Sequence, residues 1–155
     1  MTRISRILLL VMLAPAVAAQ SEPAEETLIE RLGGISGVAL VVDDFVDDFI
    51  ADPVIMANPN TRARKPGEGV PGLKYHLTSI ICEASGGPCT YVGPTLREAH
   101  EGLNVSETEW ERRGELFAAT LARHNVGERE QQELFAILGP TKDDIVVAAG
   151  MRNTG

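Results

Sequence analysis

Aromatic side chains are scarce in this chain: one tryptophan, two tyrosines and four phenylalanines make up 5% of its 155 residues. Nothing obvious among them fills the centre of a helical core, and a large flat cofactor is one way to fill it. Basic charge is also in short supply, with 14 Lys and Arg against 22 Asp and Glu, a net of −8. Such a surface repels nucleic acid and anionic lipid, so neither is an expected partner. No apolar run is long enough for a permanent membrane span. There is no CxxC zinc pair, glycine-rich phosphate loop or Ser-His-Asp set. No stretch alternates apolar and polar residues as a half-buried strand would, and there is no internal repeat, so the fold class is all-α. The length suits one domain.

What is present begins with an export signal. Arg3 and Arg6 precede the apolar run Ile7–Leu13, and Ala16-Val17-Ala18-Ala19 supplies small residues for cleavage. Residues 1–19 are therefore expected to be a signal peptide with no lipid or membrane anchor, leaving 12 basic against 22 acidic residues, a net of −10. The expected location is outside the cytoplasm, in the periplasm. Residues 20–26 read as an acidic leader, 27–149 as the domain and 150–155 as a tail. Cys82 and Cys89 flank Ser85-Gly86-Gly87-Pro88; export permits a disulfide, and two buried thiols are the other reading.

Helices follow from periodicity and caps. Thr27–Leu32 makes a short opening helix stopped by Gly33-Gly34. A second runs from Ser36 to Ala51, with Val38, Val42, Phe45 and Phe49 at helical spacing; Leu40, Val41, Val46 and Ile50 widen its buried stripe. Residues 53–72, with four prolines and three glycines, read as a long irregular connection. Gly72–Ala84 is helical through Leu73, Leu77, Ile80 and Ile81. Thr95–Glu101 is a short helix carrying Leu96 and His100. Ser106 with Glu109 forms a capping box for a helix running to about His124, with Trp110, Leu116, Phe117 and Leu121 inward. Helices over Glu128–Leu138 and Thr141–Ala149 close the chain, divided by Gly139-Pro140.

Candidate chemistry is thin. His100 lies between Glu98 and Glu101, and composition alone favours a surface histidine there. His124 ends a helix, where a cation suits the dipole. Asp43, Asp44, Asp47 and Asp48 superficially resemble a magnesium-diphosphate motif, but such sites need a larger helical shell, so a solvent-facing charged stripe is expected.

Several segments together resemble the truncated haemoglobins of the short bacterial group. Leu28-Ile29-Glu30-Arg31-Leu32-Gly33-Gly34 is similar to the family's opening helix and first glycine pair, and Val42-Asp43-Asp44-Phe45 to its second helix. Gly86-Gly87-Pro88, Tyr91, Gly93, Leu96 and Ala99-His100 match the second glycine pair and the segment leading to the proximal histidine. The resemblance spans residues 27–147. It implies a shortened globin fold, two antiparallel helix pairs crossed around haem b. It makes His100 the proximal iron ligand, a neutral imidazole being a suitable axial donor, and puts Leu96 on the same helix face. Gly93 would allow a sharp turn into the short helix. His76 falls where some members place a sixth ligand; an exposed histidine beside Lys74 and Tyr75 is the alternative. Phe45, Val46, Leu73, Leu77 and Ile81 are expected to line the pocket. Tyr91 packs either at the haem edge or simply against its turn. Arg62, Arg64, Lys65 and Lys74 either pair with haem propionates or are solvated.

Three departures from the family pattern stand out: Val46 replaces its hydrogen-bonding tyrosine, Asn58-Pro59 stands near its wedging phenylalanine, and the long Pro/Gly-rich connection replaces a compact loop. The missing donor at Val46 weakens the expected oxygen binding. The expected function is binding of a diatomic gas (oxygen, nitric oxide or carbon monoxide) by a monomer or weak dimer. A haem redox protein with a partner, and a cofactor-free helical module, are the competing readings.

Overall fold

The computed structural model describes residues 25–64 and 66–146. The expected signal peptide, most of the leader, Lys65, residues 147–149 and the tail lie outside them. Among the described residues the chain is helical, with one isolated bridge between Val105 and Val146 and no strands.

Helix α1 (Leu28–Arg31) starts where the Glu30 carboxylate accepts from both the Thr27 amide and its hydroxyl, each at 2.7 Å. Gly33 and Gly34 then take φ of +84° and +70°, a left-handed pair that no β-branched residue would tolerate. This reverses the chain into α2 (Gly34–Ala51). Val38, Val41, Val42, Phe45 and Val46 of α2 are buried, with Val42 and Val46 fully so. Leu40, expected in the buried stripe, is instead 63% exposed. The apolar stripe is narrower than the composition of α2 suggested, because Leu40 stands off the Val38–Val42–Phe45 line.

The expected irregular connection is mostly helical. Asp52 caps α3 (Pro53–Met56) by accepting from the Val54 and Ile55 amides at 3.0 and 3.1 Å. Asn58 caps α4 (Pro59–Ala63) by accepting from Asn60 and Thr61. In both, proline occupies the first helical position, where its missing N–H costs nothing. Helix α5 (Pro66–Ala84) also begins earlier than Gly72 and continues through Pro71, which forfeits one intrahelical bond.

Helix α6 (Leu96–His100) has the same reciprocal cap, between Thr95 and Glu98. Helix α7 (Glu107–Arg123) carries the Ser106–Glu109 box read from the sequence. After α8 (Glu128–Leu138), Gly139–Thr141 forms a 3₁₀ turn where a break was expected, leading into α9 (Lys142–Ile145).

Helix α2 packs against α5 and α7. The core joins Leu28 and Ile29, the α2 residues above, Ile81 and Cys82 of α5, Phe117 and Leu121 of α7, and Leu134 of α8. Phe45 meets Phe117 edge-on, with ring centroids 5.2 Å apart. Cys82 and Cys89 are joined as a disulfide that ties the end of α5 to the following loop. The α2 acids serve as ties between helices. Asp43 and Asp47 both pair with Lys74, Asp44 with His124, and Asp48 with Arg123.

Candidate functional site

His100 closes the short helix α6, and its backbone geometry determines its chemistry. Its Nδ1 lies 2.7 Å from the Leu96 carbonyl, one turn back. A carbonyl only accepts, so Nδ1 carries the proton and Nε2 keeps its lone pair. Burial pushes the imidazole pKa below its usual value, reinforced by the Arg113 charge and opposed by the Leu96 bond. His100 is therefore neutral at physiological pH, the form that donates to a metal. Exposed Arg64 reaches across from α4 to the Ala99 and Glu101 carbonyls, both at 2.8 Å, and holds the end of α6.

The residue facing Nε2 was not anticipated. An Arg113 nitrogen lies 3.5 Å from it. The Arg113 guanidinium sits over the rings of Phe49 and Trp110, 5.7 and 5.6 Å from their centroids. One niche thus combines α2, α6 and α7. The sequence held a partial signal, since Trp110 and Arg113 are three residues apart on one helix, but Phe49 is 64 positions away.

The other expected site residues form two groups. Phe45, Val46 and Ile81 lie in the buried core, with Leu77 packed against it. Val46 is fully buried and offers no hydrogen-bond donor. Leu73 is 38% exposed, and Leu96 is half-buried at the start of α6. The second group surrounds His76, which is half-buried and meets the Tyr91 ring edge-on at 5.7 Å. Its Nδ1 is buried and has no hydrogen-bond partner. The Tyr91 hydroxyl donates to the Pro94 carbonyl at 2.7 Å, and its amide donates to Glu83, so the turn holds it. Gly93 does not have the left-handed backbone expected of a sharp turn; it is needed for close approach. A Cβ there would lie 2.3 Å from the Tyr91 hydroxyl and 2.8 Å from His76 Nδ1. Among the described residues His76 and His100 share no contact.

Three of the four cations considered for propionate pairing lie within the described residues, and all are engaged elsewhere. Lys74 bridges Asp43 and Asp47, Arg62 reaches the Met56 carbonyl, and Arg64 holds α6. A hollow of about 330 Å³ beside Asn58, Asn60 and Glu109 includes neither histidine.

The donor set fits a haem iron. It offers one neutral imidazole with its second nitrogen anchored, as axial ligands require, and a second, half-buried imidazole whose Nδ1 is buried and unpartnered.

The bacterial-like globin family model matches residues 27–147. A group 1 truncated haemoglobin of Tetrahymena thermophila is 26% identical over 123 residues, covering 77% of this chain and 94% of that protein. Among solved structures, an Fe(III) truncated haemoglobin of Tetrahymena pyriformis, a single-site variant, is 25% identical with a TM-score of 0.69. The match covers 79% of this chain and all of that one. The 2/2 haemoglobin of Synechococcus sp. PCC 7002, in the cyanomet state with covalently attached haem, is 26% identical with a TM-score of 0.63. That match covers 78% of this chain and 98% of its counterpart.

Proposed function

The chain belongs to the truncated globins, a haem-binding family, and from that membership we propose that it holds haem b through His100 and takes a diatomic gas as its ligand. The observation that carries this reading is the Nδ1 contact to the Leu96 carbonyl, which leaves Nε2 as a fixed, neutral donor. Bound haem supplies an iron centre for the gas. The chain's own part would be to fix the His100 ring through the Leu96 carbonyl and to keep it neutral.

The apolar character of Val46, Leu73 and Leu77 favours carbon monoxide and nitric oxide over oxygen. Bound oxygen is more polarised and gains more from a hydrogen-bond donor. Hemin titration of the purified protein tests the assignment. A stoichiometric Soret band is expected for the wild type, and its loss in His100→Ala. A His100→Ala protein that takes up hemin with an unchanged spectrum refutes the assignment.

His76 supports a second reading, a six-coordinate iron suited to redox exchange with a protein partner. Its buried, unpartnered Nδ1 is the kind of group that a metal or ligand would satisfy. Low-spin bands in the ferric wild type that become high-spin in His76→Ala are the expected result; identical spectra remove His76 from the site.

The export reading stands on the pattern of residues 1–19, and the Cys82–Cys89 disulfide supports it, since such bonds persist in oxidising compartments. Among the described residues no helix is long and apolar enough to cross a membrane.

A further inference from the structure

The turn between α5 and α6 lies back over the helix it has just left. Gly86 takes φ of +81°, and the Gly87 amide donates to the Cys82 carbonyl at 2.8 Å, which reverses the chain. Seven residues after Cys82, Cys89 closes the turn onto α5 as a disulfide. Tyr91 then touches α5 twice. Its amide donates to Glu83 at 3.2 Å, and its ring packs edge-on against His76. His76 and Glu83 are seven residues apart, about two turns along one face of the helix. Gly93 completes the cover, since a Cβ there would lie 2.8 Å from His76 Nδ1. That nitrogen is buried.

Little else holds the turn down. Among the described residues, the one hydrogen bond from residues 88–94 to α5 is the exposed Tyr91–Glu83 bond, and such a bond adds little net free energy. Thr90, Val92 and Pro94 are exposed. The Tyr91 hydroxyl bonds within the turn, to Pro94. The disulfide is therefore what keeps Tyr91 and Gly93 on the imidazole. Its two sulfurs are unequal: Cys82 is fully buried, whereas Cys89 is half-buried.

We propose that Cys82–Cys89 and Tyr91 form a redox-operated strap, which fixes the His76 imidazole while the disulfide is closed and releases it when a dithiol opens the bond. A thiolate of the dithiol attacks Cys89 Sγ, forms a mixed disulfide and expels Cys82, which takes up a proton. The second thiol then displaces Cys89, so the dithiol ends as its own disulfide and both cysteines as thiols. Two electrons and two protons pass to the protein. Tyr91 is thus a positioning residue for His76. The strap itself needs no haem. Its effect on iron rests on the six-coordinate reading of His76, because a ring already held loses less freedom on binding.

Acylation by diethyl pyrocarbonate, read histidine by histidine in the full chain before hemin is added, tests the strap. The chain has three histidines, so His100 and His124 serve as internal references. In wild type reduced with dithiothreitol and desalted anaerobically, and in Cys89→Ser, His76 should react about fivefold or more faster than in the disulfide form, with the other two within about twofold. Tyr91→Leu, with the disulfide intact, should do the same. Tyr91→Phe should behave as the wild type, because the ring is what covers His76. An unchanged His76 rate overturns the proposal. So does a rise shared equally by all three histidines, which makes the disulfide a general brace of the fold.

In the ferric, hemin-loaded protein, Cys89→Ser should lower the ratio of low-spin to high-spin iron by about fivefold, the effect of freeing one side chain's rotamers. The effect should vanish in a His76→Ala background. A low-spin wild type whose ratio is unchanged in Cys89→Ser overturns the proposal. A high-spin wild type that is indifferent to His76→Ala refutes the six-coordinate reading instead and leaves the acylation result to decide on the strap.

Discussion

Asp52 is the polar joint of the fold, and removing it should cost about 3 kcal/mol. Only 5% of the residue is exposed. Its Oδ1 accepts the Val54 and Ile55 amides that start α3, and its Oδ2 accepts two Arg112 donors from α7, at 2.8 and 2.9 Å. Losing a helix cap costs ~1 kcal/mol. Losing a charge-assisted bond costs ~1.5–3 kcal/mol when its partner is left behind. Arg112 is 36% exposed and keeps Glu115 at 2.8 Å, so its stranded charge stays cheap and the lower half of that range applies. Asp52→Ala should therefore lower the thermal midpoint by on the order of 10 °C in a domain of this size. Equilibrium unfolding in urea, followed by helical circular dichroism, measures the loss directly. Arg112 holds the Asp52 carboxyl below its usual pKa, against the opposing effect of burial. A lowered folded pKa means that the contribution is complete well above pH ~4, the unfolded value, and is lost as pH falls through the folded one. The wild-type advantage over Asp52→Ala should be full at pH 7 and smaller at pH 3. A loss under ~0.5 kcal/mol at pH 7, the size of an ordinary surface change, would refute the reasoning.

Other outcomes follow from single contacts. Ser106→Ala should destabilise by ~1 kcal/mol in the same urea assay, because Glu109 loses its reciprocal partner at the start of α7. Reducing Cys82–Cys89, or replacing both with serine, should cost ~2–3 kcal/mol on the chain-entropy account, read as a lower urea midpoint. Gly93→Ala must displace the Tyr91 hydroxyl and crowd His76 Nδ1, so a change in the spin-state bands of the hemin-loaded protein is expected with little change in helix content. Leu40→Lys on the exposed face of α2 should leave stability within ~0.5 kcal/mol, against the several kcal/mol expected had it been core.

The elements visible in the sequence were those fixed by near neighbours. The Ser106–Glu109 box is a four-residue signal, and it placed α7 correctly. The short helix carrying His100 is also expected from the sequence, although its Thr95–Glu98 cap forms no part of that reading. Residues 53–72 were misjudged because proline was weighed as a breaker. Asp52-Pro53 and Asn58-Pro59 are in fact starts, a capping side chain followed by a proline at the first helical position. What remained hidden depends on distant chain segments. Lys74 looked available until α5 was laid against the acids of α2. Val46, Leu77 and Ile81 were recognised as inward-facing, but periodicity cannot separate a core wall from a pocket wall. Arg113 was invisible as a site residue because its meaning comes from Phe49 on one helix and His100 on another.

The axial role of His100 carries the account, and a cavity variant with added imidazole tests it most directly. Hemin added to His100→Gly should give no wild-type Soret band, and free imidazole should restore it, because the small molecule refills the position that Nε2 occupies. A His100→Gly protein that binds hemin with the wild-type spectrum and ignores imidazole would contradict the account.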